Sequence, residues 1–147
     1  WTTSSDGGYY YTWKSTYTGN LSINFNDPCS KLNSTTYGTG WRTPSRNELT
    51  KLSRCTNATL VSSPTRGMWF MHSSIGLFLP APGYRQSTDG SGTSATSGIG
   101  VYGYYWSIDA SNNDSGYILR IYNGSSRVIQ YDKYGGLSVR CIKGTRQ

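Results

Sequence analysis

The stretch Gly116-Tyr117-Ile118-Leu119-Arg120-Ile121-Tyr122-Asn123-Gly124 decides how this chain folds. Tyr117, Leu119 and Ile121 alternate with Ile118, Arg120 and Tyr122, the two-residue period of a half-buried strand. Asn123-Gly124 then supplies the residue pair that most readily takes the positive φ values of a tight hairpin turn. Working outward, strand-like pieces separated by turn residues run over 101–108, 116–123, 126–131 and 137–143, which predicts an antiparallel sheet in the C-terminal third. Upstream, Thr43-Pro44-Ser45-Arg46-Asn47-Glu48-Leu49 reads as a helix start, with Thr43 as N-cap, Pro44 at the first helical position and Glu48 in the first turn. Leu49 and Leu52 continue that helix on one face, and it is expected to fade near Asn57. Residues 60–80 read as a mixed segment, and Tyr9-Tyr10-Tyr11-Thr12-Trp13 as a β-prone piece. Residues 86–100, almost all Ser, Thr, Gly and Asp, read as a flexible loop. The pattern is one α+β domain over residues 1–147, a short helix ahead of an antiparallel sheet, with no internal repeat.

The chain's 147 residues suit a single domain. Charged residues make up only 14%, below the usual quarter, so Ser, Thr, Asn and Gly must supply the surface polarity. Aromatic residues also reach 14%, too rich for a disordered chain. No apolar run is long enough to cross a membrane as a helix. Trp1-Thr2-Thr3-Ser4 lacks the charged and apolar regions of a signal peptide, and a chain starting at Trp is expected to be a processed product or the C-terminal part of a longer protein. Net charge is +7, but the basic residues are scattered singly (Lys14, Lys31, Arg42, Lys51, Arg66) rather than gathered on one face. Nucleic acid is therefore not expected as a partner.

Three cysteines are too few for a disulfide scaffold and lack metal-ligand spacing. A Cys29–Cys141 bridge would close a loop of roughly a hundred residues, worth about 4–5 kcal/mol in the chain-entropy model, leaving Cys55 as the odd thiol. The sequence alone leaves that pairing open. His72, the only histidine, has no G-x-S-x-G elbow and no third partner, and reads as structural or partly exposed. Glu48 is accounted for by helix capping and Asp27 by its turn before Pro28. Asp109, Asp114 and Asp132, with Asn112 and Asn113, could offer oxygens to calcium but lack EF-hand spacing, so no metal site, cofactor or catalytic residue is assigned.

Residues 107–136 carry a different signal. They are rich in Tyr, Ser, Asn, Asp and Gly at positions expected in loops or on outward strand faces, the composition of binding loops. Tyr gives rigid amphipathic contact area, Ser and Asn adaptable hydrogen bonds, and aromatic platforms also suit sugar rings. The candidate contacts are Asp109, Ser111, Asn112, Asn113, Asp114, Tyr117, Arg120, Tyr122, Asn123, Arg127, Gln130, Tyr131, Asp132, Lys133 and Tyr134. Tyr104, Tyr105 and Trp106 with Val139 and Ile142 are the expected core frame.

Several stretches in this order carry a resemblance. They are Asp27-Pro28-Cys29 leading to Gly40-Trp41-Arg42-Thr43-Pro44-Ser45-Arg46-Asn47-Glu48-Leu49, Leu77-Phe78-Leu79-Pro80-Ala81-Pro82-Gly83-Tyr84-Arg85, Gly103-Tyr104-Tyr105-Trp106-Ser107, and the closing Gly136-Leu137-Ser138-Val139-Arg140-Cys141. Together they resemble the Fibrobacter succinogenes major paralogous (FISUMP) domain of bacterial surface and lipid-anchored proteins, over roughly residues 9–143. The resemblance implies a C-type lectin-like domain, short helices packed on antiparallel sheets, with a disulfide between Cys29 and Cys141. Residues 30–39 and Cys55 depart from that family's pattern, and the calcium-site tripeptides of sugar-binding C-type lectins are absent.

A second resemblance concerns the same C-terminal third. Lectin-fold variable proteins of diversity-generating retroelements have a Tyr-Trp-Ser strand, a run of hypervariable positions and a closing Val-Arg strand. Asp109-Ala110-Ser111-Asn112-Asn113-Asp114-Ser115-Gly116-Tyr117 and Gln130-Tyr131-Asp132-Lys133-Tyr134 look like the product of such mutagenesis. The two resemblances imply a non-catalytic receptor- or ligand-binding domain outside the cell, on a bacterial surface or a virion tail tip. Its expected partner is a cell-surface protein or glycan, with a homo-oligomer formed through a region N-terminal to this chain as a further partner class. The alternative is an assembly module of a surface fibre or pilus that self-associates through the same face.

Overall fold

The computed structural model describes residues 2–3, 9–10, 27–85, 96–112, 114–133 and 135–145. Among them run β1 (Thr2–Thr3), β2 (Tyr9–Tyr10), a 3-10 turn (Pro28–Leu32), β3 (Trp41–Arg42), α1 (Arg46–Ser53), β4 (Asn57–Val61), β5 (Gly67–His72), β6 (Ile75–Pro80), β7 (Tyr84–Arg85), β8 (Thr96–Ser97), β9 (Tyr102–Ala110), β10 (Ser115–Tyr122), β11 (Ser125–Asp132) and β12 (Ile142–Lys143). Among the described residues the architecture is mostly small antiparallel sheets with one α-helix, which fits the expected α+β class. Residues 11–13 of the β-prone piece, 86–95 of the expected loop, Asn113 and Tyr134 lie outside the described residues.

The three-stranded sheet β11–β10–β9 is the centre of the molecule. Asn123 and Gly124 sit at φ +48° and +73°, the pair of positive values a two-residue hairpin needs to match strand twist, and the register runs unbroken from Tyr122↔Ser125 to Ser115↔Asp132. The alternation along β10 holds, but both sheet faces contribute side chains to a core. Leu119 and Ile121 point with Tyr105 into one core against Leu49 of α1, Met68 and Phe70 of β5 and Leu79 of β6. Ile118 points the other way with Tyr104 and Trp106, against Leu137. Val139 packs beside this second core, while Ile142 is half-buried in β12, so of the expected frame the Tyr104-Tyr105-Trp106 run is the fully buried part.

Other expectations are corrected by long-range contacts. The helix begins two residues late: Ser45 is its N-cap, forming a reciprocal capping box with Glu48. Thr43 cannot serve there, because its N–H and hydroxyl both donate to the buried Asp27 carboxylate, at 2.9 and 2.6 Å. The helix stops at Ser53, and Asn57 opens β4 of a second sheet, β4–β5–β6, which occupies the segment read as mixed. Thr96–Ser97, read as loop, pairs with β7. Residues 137–143 are not one strand. Ser138 bridges Tyr105 in parallel, the chain then leaves the sheet, and Ile142 and Lys143 pair with β3. The Cys29–Cys141 disulfide is present at that departure and spans 112 residues of chain, while Cys55 stays free, its thiol donating to the Met71 carbonyl.

Arg42 ties this closure to the helix by a double hydrogen bond to Glu48, at 2.6 and 2.7 Å. Burial raises the Glu48 carboxyl pKa, but the bonds from Arg42 and Ser45 and the Arg42 charge outweigh it and hold the group at about 2. A carboxylate lowered on folding stabilises above its unfolded value of 4.5 and loses that contribution as pH falls toward 2. Urea midpoints measured from neutral to acid pH should therefore fall across that window, and Glu48→Gln should flatten this part of the profile; an unchanged acid limb in the variant would contradict the assignment.

Candidate binding surface

Strand parity divides the candidate contacts into two separate faces joined by turns. Arg120, Tyr122, Arg127 and Tyr131 share the face of Ile118 and Ile129. There an aromatic cluster runs across the sheet. Tyr122 stacks on Tyr102 at 4.8 Å between ring centroids, Tyr102 meets Tyr104 at 5.4 Å, Tyr104 meets Tyr131 edge-on at 5.3 Å, and Tyr84 stacks on Tyr104 at 5.1 Å. Tyr131 is held between these rings, and burial, with Tyr84, Tyr104 and Asp132 nearby, pushes its hydroxyl pKa up to about 12. Tyr122 is 41% exposed, with the Arg120 guanidinium 6.0 Å from its ring centre. The inner end of the cluster is structural and the Tyr122 end faces water.

Tyr117 and Gln130, cross-strand partners, lie on the opposite face beyond the start of α1. Arg46 covers the Tyr117 ring at 4.1 Å, and a hydrogen bond with Ser111, then the Arg46 charge, lower the Tyr117 hydroxyl pKa despite some desolvation. Asp109 is engaged at the same place, accepting the Arg46 N–H at 2.6 Å at the positive end of the helix.

The remaining candidates are turn residues. Asn112 accepts the N–H groups of Asp114 and Ser115 at 2.9 and 2.7 Å. Asn123 makes the hairpin turn and borders a cleft of about 220 Å³ shared with Arg66, Leu60 and Val101. Lys133 is 1% exposed. Its ammonium reaches the Asn112 carbonyl at 2.5 Å and its own N–H donates to the Asp114 carbonyl, so it pins the loop between β9 and β10 instead of facing a ligand. Burial lowers its pKa, partly offset by Asp114. Tyr102 and Tyr84, which complete the aromatic face, lie outside the 107–136 window and were not among the candidates.

Elsewhere, His72 is exposed on β5 at the rim of a shallow groove with Lys51 and Cys55. Among the described residues no group of three or more His, Cys, Asp or Glu is placed to hold a metal, and no helix is long and apolar enough to cross a membrane. Set against models of known families, curated proteins and solved structures, the chain matches none.

Lys133→Met should cost about 1–3 kcal/mol, because it leaves the Asn112 carbonyl without its donor. Arg127→Ser, on the exposed face, should stay within about 0.5 kcal/mol of the parent. Chemical denaturation of both variants checks this, and equal stabilities would contradict the structural role of Lys133.

Proposed function

We propose that the chain is a non-catalytic ligand- or receptor-binding domain of C-type lectin-like, FISUMP-related type, displayed on a bacterial surface or a phage tail tip. One observation carries the reading. Of the described candidate contacts in 107–136 only Lys133 is buried, while the frame beneath them (Tyr105, Trp106, Ile118, Leu119) is fully enclosed. The exposed contacts that the fold does not use, Tyr122, Arg127 and Gln130 among them, can be exchanged at little cost, which is what a retroelement-diversified binder requires. The cross-link between Cys29 and Cys141 is compatible with an oxidising location outside the cell. The part of the surface best suited to contact is the Tyr122 end of the aromatic face, where exposed ring area adjoins two arginines.

A second reading, a self-associating assembly module, draws support from another face. Trp69 and Met71 point outward from β5, 40% and 36% exposed, over a shallow groove with Thr59 and Gly76. Concentration-dependent particles in light scattering, abolished by Trp69→Ser, would favour it.

Binding of the labelled chain to a panel of intact bacterial strains, read by flow cytometry, tests the proposal. Saturable binding to a subset of strains is expected, with loss on Tyr122→Ala at unchanged melting temperature. Absence of saturable binding to every strain, or binding indifferent to Tyr122→Ala, Arg127→Ser and Tyr117→Ala alike, would overturn it. Sequencing the locus and its flanks across a population tests the diversified form, which predicts substitutions confined to codons 107–136.

A further inference from the structure

Arg120 and Arg127 are direct cross-strand partners in the β10–β11 register. Residues so paired carry their Cβ atoms roughly 5 Å apart on one face, where like charges repel. Relief by a carboxylate is absent among the described residues. Asp27 is buried under Thr43, Glu48 is locked to Arg42, Asp109 accepts the Arg46 N–H, Asp114 lies in the turn before β10, and Asp132 stands about 16 Å along β11 from Arg127 and on the other parity. The Arg120 guanidinium lies 6.0 Å from the Tyr122 ring centre, and its charge also acts on the Tyr104 hydroxyl. Two arginines that are direct cross-strand partners, Arg127 exposed and Arg120 half-buried, can together form a fork for an anion, since each presents parallel N–H donors that fit carboxylate or sulfate oxygens.

The surroundings narrow the anion's carrier. The Tyr122 ring, stacked on Tyr102 and 41% exposed, offers a flat apolar platform next to that fork. On its other side the cleft of about 220 Å³ brings Arg66 and Asn123 to the Tyr122 edge over Leu60 and Val101. This volume lies below the ~300 Å³ at which drug-sized pockets begin, so it suits one small ring or a side group, not an enclosed substrate. A row of cation, aromatic platform and polar cleft on an open surface matches a chain of sugar rings bearing acidic groups: ring faces stack on tyrosine, the acid is held by the arginines, and hydroxyls meet the amide.

We propose that the Tyr122 end of this face binds an acidic saccharide, a carboxylate or sulfate of which is clamped by Arg120 and Arg127. The inference rests on the binding-domain reading above and names the ligand class of its site. Titration calorimetry at low salt with uronate and sulfated oligosaccharides, neutral oligosaccharides of equal length, and poly-glutamate as a charge control tests it. The acidic saccharides should bind and the neutral ones should not. Arg127→Ser should weaken binding about tenfold, and Arg127→Lys, which keeps the charge but loses the fork, by an intermediate amount. Arg54→Ser, at the end of α1, should leave it unchanged. Tyr122→Ala should lower affinity for the acidic saccharides with folding intact.

Equal binding of neutral saccharides would overturn the inference. So would poly-glutamate binding as tightly, which would make an acidic peptide the occupant. Retained affinity in Arg127→Ser and Arg120→Ser would also overturn it. Failure of every saccharide while intact cells are still bound through Tyr122 would defeat this inference alone; failure of cell binding as well would defeat the binding-domain reading with it.

Discussion

Asp27 is a buried carboxylate that accepts hydrogen bonds from the Cys29 N–H, the Thr43 N–H and the Thr43 hydroxyl, and on this small knot the closure of the fold depends. A buried charge is costly unless its oxygens are satisfied, and here three donors converge on them. The knot places the Cys29 turn against the segment leading into α1. The disulfide then brings in Cys141, and β3 and β12 pair on either side of it. Arg42, next to Thr43, carries the constraint into the helix through Glu48. Removing one oxygen of Asp27 would loosen the turn, the helix start and the end of the chain together.

With its ends tied this way, the central sheet is clamped from both faces. Leu49 and the β4–β6 sheet cover one side, Leu137 and Tyr84 part of the other. Tyr105 anchors the arrangement, its hydroxyl donating to the Pro80 carbonyl at 2.6 Å and burial raising its pKa. The far end of the second face is left open, and there the frame gives way to side chains with few structural duties. A rigid sheet with an open edge suits the proposed recognition, because residues on strands are held more firmly than residues on loops.

What could be read from the sequence was what neighbours in sequence decide. The β10–β11 hairpin was legible because Asn123-Gly124 and the alternation from Tyr117 to Ile121 are local signals. The helix was legible, but its first residue was not, since Thr43 is claimed by Asp27 sixteen positions away. The β4–β6 sheet was obscured because its outer positions, Trp69 and Met71, are as apolar as its inner ones, Met68 and Phe70, which erases the alternation. The break in 137–143 was hidden for the same reason as the cap: the partners, Tyr105, Cys29 and Trp41, are remote. Within residues 107–136, composition could not assign the candidate contacts to faces. Lys133 reads as an exposed cation in sequence, and its partner is a backbone carbonyl that no residue pattern announces.

A closed frame carries an open sheet edge on which Arg120, Tyr122, Arg127 and Gln130 have few structural duties. A stability scan of every single substitution over residues 100–143, scored by protease resistance on a display system, tests it most directly. Tyr105, Trp106, Ile118 and Leu119 should tolerate almost no change, truncation to alanine costing about 2–5 kcal/mol, while Arg120, Tyr122, Arg127 and Gln130 should accept most residues at little cost. A face as intolerant as the frame would contradict it and make the tyrosines and arginines part of the structure rather than of a binding site.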